Sequence, residues 1–382
     1  MELLDDSIVP ERARERKQAA RAFAAAEIEP VAADYYAAAD YPWDVLEAAM
    51  DAGFVAQHIG SEYGGQGDDL ATLLAITEEF FRVDAGIALT IQLAGFGCDI
   101  LEQYGTDAQK RQYLRPVAEN DQLSGLAVSE PETGSDLAGM STEATKVDGG
   151  YRLSGEKYWV GNAVEADWLT VYAKTGDRED RYSNYSVFIV ETDREGYHAE
   201  HIPEKIGMRA SKQGHIVLKD CFVPEANLVG TEGGGFYMLA EFFNNGRVVV
   251  GGHGLGLAAA AIEEAEAFVD QRESFGRTID SFQAVQHAIA EMRLRFESAR
   301  ALVWRACRKV DAGENPGYWA ALAKTEATEA AVFCAEQSMQ LHGGRSIFAD
   351  RRISRVYRDV RIPVIYEGAN EIQRNLIFRH RP

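Results

Sequence analysis

The stretch at residues 123–129 (LSGLAVS) marks the point at which the periodicity of the sequence changes. Before it, from residue 7 to about residue 113, apolar residues recur at every third or fourth position, which is typical of amphipathic helices. After it, short runs rich in aromatic and β-branched residues alternate with turn residues, which is typical of β-strands. Helical spacing returns at Gly235 and lasts to the end. The predicted order is therefore helix-rich, β-rich, helix-rich.

Two groups of helices are predicted on either side of the β-rich part. Before it, the spacing of apolar residues predicts helices at residues 11–28, 43–52, 69–81, 87–103 and 108–114. After it, longer amphipathic helices are predicted at residues 236–244, 248–273, 283–312, 318–342 and 352–360. Thr106 is a suitable N-cap for the helix that follows Gly105. Long helices joined by short loops favour antiparallel packing in a bundle.

The central part predicts a small β-domain with the form of a barrel or a sandwich. Its strands are predicted at residues 124–129, 151–155, 157–160, 168–173, 185–190 and 214–218. Residues 148–150 (DGG) are suited to a hairpin turn. We therefore predict an α+β multidomain fold. It has an N-terminal helical domain at residues 1–121, the central β-domain at residues 122–232 and a C-terminal domain resembling a four-helix bundle at residues 233–382.

Length and composition limit the class of protein. A chain of 382 residues with 46% hydrophobic content can bury a large core and exceeds the usual size of one domain. The net charge of −21 argues against nucleic acid as a partner, because a phosphate backbone requires a basic face. The acidic residues are spread along the chain, which predicts an acidic surface. Two interpretations stay open: a protein adapted to high salt, where screening relieves self-repulsion, and an ordinary acidic enzyme.

The location that the sequence predicts is cytoplasmic. No stretch approaches the ~20 apolar residues that span a bilayer, and residues 1–21 lack the apolar segment of a secretion signal. The cysteines are scattered without a CxxC pair, so they indicate neither a zinc site nor a disulfide framework and are predicted to be small core residues. They are Cys98, Cys221, Cys307 and Cys334. The sequence also lacks the motifs of a metal site and of a nicotinamide or ATP site.

One carboxylate near the end of the chain is a candidate general base. Glu367 stands between the apolar residues 364–366 (VIY) and Gly368, on a turn that leads into a helix predicted at residues 371–379. Burial among apolar groups raises the pKa of a carboxyl group toward the range in which it can accept a proton near neutral pH. The alternative is that Glu367 only supports the first turn of the final helix, where negative charge is favourable.

Three other parts of the sequence could hold a cofactor. Residues 127–136 (AVSEPETGSD) lead from a strand into a turn whose N–H and hydroxyl groups can donate to a ring oxygen or a phosphate, although such residues also form ordinary turns. Residues 157–162 (KYWVGN) place an aromatic ring on a strand, where it could stack on a cofactor or belong to the core. Arg272 could pair with a pyrophosphate or with a nearby Glu.

Taken together, these segments resemble the acyl-CoA dehydrogenase family. The matching motifs are at residues 127–136, 157–162, 272–276 (RESFG), 282–286 (FQAVQ), 365–368 (IYEG) and 371–374 (EIQR). The resemblance covers nearly the whole chain, and the family's fold has the same order of helix-rich and β-rich parts. It implies an FAD-dependent enzyme that converts a saturated acyl-CoA to the trans-2-enoyl-CoA. It also implies an electron-transfer flavoprotein as electron acceptor and a homotetramer.

The resemblance further implies roles for particular residues. Glu367 would remove the α-proton of the thioester while hydride passes from the β-carbon to flavin N5. Arg247, Tyr366 and Gly368 would contact the substrate. The β-domain residues implied to contact FAD are Val128, Ser129, Gly134, Ser135, Trp159 and Gly161. Those in the C-terminal domain, some reaching the flavin of a neighbouring subunit, are Arg272, Phe275, Gln283, Gln340, Gly343, Gly344, Ala369 and Glu371.

Three positions differ from most relatives. Gly161 stands where a Thr or Ser hydroxyl usually donates to flavin N5, Ala369 stands where Thr is usual, and Glu371 stands where Gln is common. These differences leave the tuning of the flavin open. They also keep two alternatives open, an oxidase that passes electrons to oxygen and a flavoprotein that keeps the fold but serves as a binding or scaffold module. The length and branching of the acyl chain are not fixed by the sequence.

Overall fold

The N-terminal part of the computed structural model, which describes residues 3–382, is helical. Its α-helices are α1 Glu11–Phe23, α2 Ala32–Ala38, α3 Trp43–Asp51, α4 Leu70–Val83, α5 Ala85–Leu93, α6 Cys98–Tyr104, α7 Asp107–Gln109 and α8 Arg115–Ala118. The single helix predicted at residues 87–103 is two helices, because Gly97 takes a φ of +90° and turns the chain between α5 and α6. Thr106 caps α7 as predicted, in a capping box with Gln109.

The central part is an eight-stranded sheet. Its strands are β1 Ser124–Ala127, β2 Glu143–Val147, β3 Gly150–Gly161, β4 Trp168–Lys174, β5 Tyr185–Glu191, β6 Tyr197–His201, β7 Gln213–Pro224 and β8 Leu228–Val229. They follow the order β6-β7-β3-β2-β4-β5-β8, with β1 beside β4. The predicted hairpin turn joins β2 to β3. Strands β2 and β6 were not predicted, because most of their side chains are exposed or half-buried and lack an apolar pattern.

The long strand β3 is irregular at the point that carries a predicted cofactor residue. Its pairing with β7 shifts register between Leu153 and Gly155 and again between Lys157 and Val160. Trp159 lies in the second irregularity and has a φ of +58°. A bulge of this kind redirects a side chain relative to the sheet. The ring of Trp159 is accordingly 55% exposed instead of buried in the core.

The C-terminal part contains the longest helices of the described chain. They are α9 Gly235–Gln271, α10 Gln283–Asp311, α11 Pro316–His342, α12 Arg352–Asp359 and α13 Asn370–His380, and a small hairpin, β9 Glu273–Ser274 with β10 Arg277–Thr278, precedes α10. The prediction of two helices at residues 236–244 and 248–273 is wrong. Helix α9 runs through both, and Arg247 lies inside it instead of opening a new helix. By length and hydropathy alone α9 could cross a membrane, but 89% of its most apolar window is buried within the protein.

Helix α9 occupies the centre of the larger core, between α4 and α11. Glycines let these helices approach closely. A Cβ on Gly256 would lie 2.7 Å from the Cβ of Phe81 in α4, and a Cβ on Gly254 would lie 2.6 Å from the backbone of Ala327 in α11. A second, smaller core lies within the sheet. The packing of α9 against both helical groups explains why it stays continuous despite its glycines.

A buried ion pair joins the N-terminal helices to the C-terminal bundle. Glu78 of α4 accepts hydrogen bonds from Arg300 of α10 at 3.3 and 3.2 Å, and one from the indole N–H of Trp304 at 2.9 Å. Arg300 also donates to the backbone carbonyls of Leu3 and Asp5. The side chain of Glu78 is fully buried and that of Arg300 nearly so. Removing Glu78 alone leaves the buried Arg300 with only the exposed carboxylate of Asp5, at 3.6 Å, as a counter-charge.

We expect Glu78→Leu to destabilise the protein by about 3–5 kcal/mol, because Arg300 then stays buried without its main partner. The midpoint of urea unfolding, followed by circular dichroism, measures the change. The matched control is the double variant Glu78→Leu/Arg300→Met, which removes both charges and should recover most of the loss. If Glu78→Leu unfolded at the same urea concentration as the wild-type protein, this result would contradict the role given to the ion pair.

Candidate active site

Glu367 lies in the loop between α12 and α13, with its side chain turned toward α9. The backbone is left-handed at two successive residues, with φ of +54° at Glu367 and +89° at Gly368. The first value is uncommon for a residue with a side chain and indicates a position that its surroundings enforce. The carboxylate reaches Gly246 of α9, where a Cβ would lie 3.0 Å from Oε2 of Glu367. Glycine at position 246 therefore leaves the room that the carboxylate occupies.

Donors from other elements hold this loop by its backbone carbonyls. Nζ of Lys324 in α11 donates to the carbonyl of Gly368 at 2.9 Å. Nε2 of Gln373 donates to the carbonyls of Gly368 and Glu367 at 2.9 and 3.2 Å, and Nε of Arg247 lies 3.4 Å from the carbonyl of Glu367. The carboxylate takes no part in these bonds, and its Oε2 is buried without a hydrogen-bond partner in residues 3–382.

The electrostatic surroundings of Glu367 suit a general base. Burial raises the pKa of Glu367 to about 7, and the charge of Asp99 acts in the same direction, while Arg247 and Lys324 oppose them. Burial has the opposite effect on an ammonium group and lowers the pKa of Lys324 to about 7. A carboxyl group whose pKa is near neutrality can accept a proton and release it again. Glu367 does not cap α13, because that helix begins at Asn370 after Ala369 and has no side-chain cap.

A cavity of ≈ 430 Å³ lies beside this carboxylate, between the N-terminal helices and α9. Gly246 forms part of its wall. Glu367 itself is not part of the wall. About half of the wall is apolar, and this half includes Phe54, Leu73, Ile76, Phe80, Phe81, Ile91, Phe96, Phe242 and Val249. Its titratable residues are His58, Asp68, Asp99, Glu102 and Glu241. A concave space that brings apolar side chains and polar groups together can bind a small molecule.

A chain of polar groups connects the neighbour of the base with the wall of this cavity. The hydroxyl of Tyr366 lies 2.5 Å from Nδ1 of His253, and Nε2 of His253 lies 2.6 Å from Oε1 of Gln92. His253 also stacks on Phe81, with 3.8 Å between the ring centroids. Burial lowers the pKa of His253 to about 3, so the imidazole is neutral. His253 therefore holds its neighbours in place and does not compete with Glu367 for a proton.

The predicted cofactor residues of the β-domain lie around a buried ion pair. Nζ of Lys157 donates to the carbonyl of Val128 and to Oε1 of Glu130, each at 2.9 Å, and the N–H of Tyr158 donates to the carbonyl of Ser129 at 2.9 Å. Burial alone would raise the pKa of Glu130, but the charge of Lys157 and several hydrogen bonds lower it to about 2. These bonds fasten the turn after β1 to the strand that carries the exposed tryptophan.

Leu93 lies against this cofactor face and follows a residue of the cavity wall in the chain. Gln92, the preceding residue, lines the cavity. Cδ1 of Leu93 lies 2.6 Å from the point that a Cβ on Gly161 would occupy, and the side-chain amide of Asn162 donates to the carbonyl of Leu93 at 2.9 Å. A Thr or Ser at position 161 would displace Leu93. The glycine at position 161, which differs from the family's pattern, therefore leaves the space that the side chain of Leu93 occupies.

The remaining predicted cofactor residues lie apart from the cavity. Phe275, at the tip of the β9–β10 hairpin, has a φ of +53° and a ring that is 95% exposed. Arg272 is exposed and forms no ion pair within residues 3–382, so the alternative of a surface salt bridge is not observed. The other exposed residues of this group are Gly134, Ser135, Gln283, Gln340, Gly343, Gly344 and Glu371. Ala369 is half-buried and lines a separate cavity of ≈ 250 Å³.

The surroundings of the β-domain residues fit a flavin. Trp159 offers a flat, open face on which an aromatic ring can stack. A Cβ on Gly134 would meet no atom within 4 Å, so the turn beside Ser135 is open to a ligand. A carboxylate without a hydrogen-bond partner near a cavity, together with an open aromatic face on the β-domain, fits a flavin-dependent oxidoreductase as the class of protein.

The family within this class follows from comparison with known proteins. Family models match as "Acyl-CoA dehydrogenase, N-terminal domain" at residues 10–121, "middle domain" at residues 125–221 and "C-terminal domain" at residues 233–381. The chain belongs to the acyl-CoA dehydrogenase family and is an enzyme whose cofactor is FAD. The family, the fold and the cofactor that the sequence predicted are confirmed.

Individual relatives resemble the chain over nearly its whole length. Probable acyl-CoA dehydrogenase FadE25 of Mycobacterium tuberculosis is 35% identical over 373 residues, which are 97% of this chain and 95% of that protein. Butyryl-CoA dehydrogenase from Megasphaera elsdenii has 29% identity and a TM-score of 0.92, covering 97% and 98% of the two chains. A chain from a structure concerning the electron transferring flavoprotein of Acidaminococcus fermentans has 31% identity and a TM-score of 0.93, covering 97% of each chain.

Lys324 is the residue of the site that sequence reasoning missed. It is fully buried in α11, among alanines such as Ala320, Ala327 and Ala331 that face the core. A lysine on such an apolar stripe indicates a buried polar contact, because a buried ammonium group needs hydrogen-bond acceptors. Those acceptors, the carbonyl of Gly368 and the side chain of Asn370 at 2.7 Å, lie more than 40 residues later in the chain. Their identity could not be read from the local sequence.

We expect flavin reduction by an acyl-CoA to require ionised Glu367, so its rate constant should rise with pH through about 7. Lys324→Met removes a cation that lowers the pKa of Glu367, and the midpoint should move to a pH about one unit higher. Lys324→Arg, which keeps the charge, should move it less. Stopped-flow absorbance of the flavin across pH measures the midpoint.

Thr328→Val is the matched control for Lys324→Met. The hydroxyl of Thr328 donates to the carbonyl of Lys324 at 2.8 Å and accepts from the amide of Asn370 at 3.1 Å, so this change disturbs the same packing without removing a charge. We expect a lower rate or stability with an unchanged midpoint. Equal midpoints in all the variants would contradict the electrostatic role of Lys324.

Proposed function

We propose that the enzyme dehydrogenates a saturated acyl-CoA thioester between C2 and C3 and releases the trans-2-enoyl-CoA. The observation that carries the proposal is the carboxylate of Glu367, whose Oε2 is buried without a partner in the described chain, whose pKa is about 7 and which approaches Gly246 in the wall of the cavity. Such a group can remove the α-proton of a thioester whose acyl chain occupies the cavity. The butyryl-CoA dehydrogenase of similar structure supports a short acyl chain.

The loop of Glu367 also offers a group that can polarise the thioester. The backbone N–H of Glu367 makes no hydrogen bond in the described part of the chain. A donor at the thioester carbonyl stabilises the negative charge that develops when the α-proton leaves. Nε of Arg247 lies 3.4 Å from the carbonyl of Glu367, and Tyr366 and Gly368 flank Glu367 in the chain, which supports their proposed contact with the substrate.

The redox part of the reaction belongs to FAD, which when bound supplies the acceptor for the hydride that leaves C3. The residues of the chain position the substrate and exclude water. We propose that Trp159, Val128 and Ser129 hold the flavin ring, and that the exposed Arg272 and Phe275 serve the flavin of a second copy in a homotetramer. An electron-transfer flavoprotein is the proposed electron acceptor, which the likeness to the Acidaminococcus fermentans structure supports.

Anaerobic mixing of the purified enzyme with saturated acyl-CoAs tests the proposal. Loss of the flavin absorption band on addition of butyryl-CoA, with formation of the enoyl-CoA, is the expected result. A yellow protein that is inert toward every acyl-CoA would favour the scaffold alternative. Rapid reoxidation of the reduced flavin by air would favour an oxidase, and slow reoxidation together with rapid transfer to an electron-transfer flavoprotein would support the dehydrogenase.

We expect Glu367→Gln to retain FAD and to bind acyl-CoA, while flavin reduction becomes about 10²–10⁴-fold slower, because the amide cannot accept the proton. The variant preserves the size of the side chain, so the loop should keep its conformation. Single-turnover reduction gives the rate, and calorimetric titration with butyryl-CoA gives the affinity. Reduction at a near-normal rate would assign the base to another residue.

A further inference from the structure

We propose that Gln92 is a specificity-determining residue, whose side-chain amide presents hydrogen-bond donors to the acyl cavity and selects acyl groups that carry a neutral oxygen acceptor. The inference rests on the proposed function, since it concerns what the same cavity accepts. It depends on the orientation of one amide group, and that orientation follows from the bonds between Tyr366, His253 and Gln92.

The direction of these bonds is set by what each group can donate. The hydroxyl of Tyr366 has no other hydrogen-bond partner in residues 3–382, so its buried O–H donates to Nδ1 of His253. Nδ1 is then the acceptor, and the single proton of the neutral imidazole is on Nε2. Nε2 donates across 2.6 Å to Gln92, which places the amide oxygen on the side of His253.

The amide nitrogen of Gln92 is consequently turned away from His253. It forms no hydrogen bond to any described residue, and Gln92 belongs to the cavity wall. Its neighbours in that wall include the apolar residues Phe81, Ile91 and Phe96. Two N–H donors without a partner in the described chain thus belong to a wall that also contains these apolar residues. An apolar chain packed against them leaves them unpaired at a cost in free energy, whereas an oxygen acceptor on the acyl group pairs with one of them.

The charge of the cavity favours a neutral acceptor over a carboxylate. Asp99 and Glu102 belong to the wall, and its described residues include neither Lys nor Arg. His58 lies 3.4 Å from Asp99 and faces that carboxylate. The negative charge of Asp99 extends to the base itself, because it contributes to the raised pKa of Glu367. A carboxylate at the end of the acyl chain would add repulsion in this field, whereas a hydroxyl, ether or keto oxygen would not.

The test uses saturated acyl-CoAs from butyryl-CoA through octanoyl-CoA. Each is compared with the ω-hydroxyacyl-CoA of the same chain length. At the chain length that brings the oxygen to Gln92, we expect kcat/KM of the wild-type enzyme to be about tenfold higher for the hydroxylated thioester, the effect of one neutral hydrogen bond. Gln92→Met keeps the side-chain length without donors and should remove this preference. The same ratio in wild type and Gln92→Met at every length overturns the proposal.

A second substitution separates hydrogen bonding from cavity size. Tyr366→Phe removes the O–H that fixes the proton on Nε2 of His253, so the amide of Gln92 loses its fixed orientation while the cavity keeps its dimensions. We expect the preference for the hydroxylated thioester to fall severalfold. An unchanged preference in Tyr366→Phe contradicts the role of this chain. Flavin content and circular dichroism verify folding, and Gln92→Leu is the second variant at that position.

Binding without turnover separates this inference from the proposed function. Calorimetry measures the affinity of each thioester pair for Glu367→Gln and for Glu367→Gln/Gln92→Met. A preference for the hydroxylated partner that disappears in the double variant supports the role of Gln92 even if no acyl-CoA reduces the flavin, a result that would defeat only the proposed function. Flavin reduction by butyryl-CoA, together with thioester affinities that do not respond to Gln92→Met, would defeat only this inference.

Discussion

The site depends on keeping one carboxylate buried without an ion-pair partner. Burying a charged group is unfavourable by several kcal/mol, so a free carboxylate would turn toward the nearest cation or toward water. The structure prevents this by holding the backbone. Lys324, Gln373 and Arg247 contact the carbonyls of Glu367 and Gly368, not the carboxylate. The loop is thereby anchored in a left-handed turn while Oε2 of Glu367 remains free to react.

The same chain contains a second glutamate, Glu130, whose carboxylate is held directly by hydrogen-bond donors. Glu130 accepts hydrogen bonds from Lys157, Ser141 and Thr142, and its pKa falls to about 2, whereas the pKa of Glu367 rises to about 7. Both side chains are removed from water, so burial alone does not distinguish them. The difference lies in whether donors contact the carboxylate or only the backbone beside it. Glu130 is fixed in its ionised form and supports the cofactor face, while Glu367 can change its protonation state.

Sequence reasoning reached the order of the helical and β-rich parts and singled out Glu367 as the candidate base, because both leave local signals. The apolar residues before Glu367 and the glycine after it are adjacent in the chain, and strand and helix periods are read over short windows. It split helix α9 because Asn and Gly at residues 244–246 normally interrupt helices, whereas here α4 and α11 pack against α9 and hold it together. It could not find the bond from His253 to Gln92, because these residues are 161 positions apart.

The continuity of α9 is what couples the base to the cavity. Gly246 and His253 are seven residues apart on this helix, about two turns or ~10 Å along its axis, and so lie on the same face. Gly246 makes room for the carboxylate of Glu367, while His253 bonds to the hydroxyl of the preceding Tyr366. A helix interrupted at residues 244–246 would let these two contacts move independently. As a single rigid element, α9 fixes the loop that carries the base and, through His253, the amide that faces the acyl group.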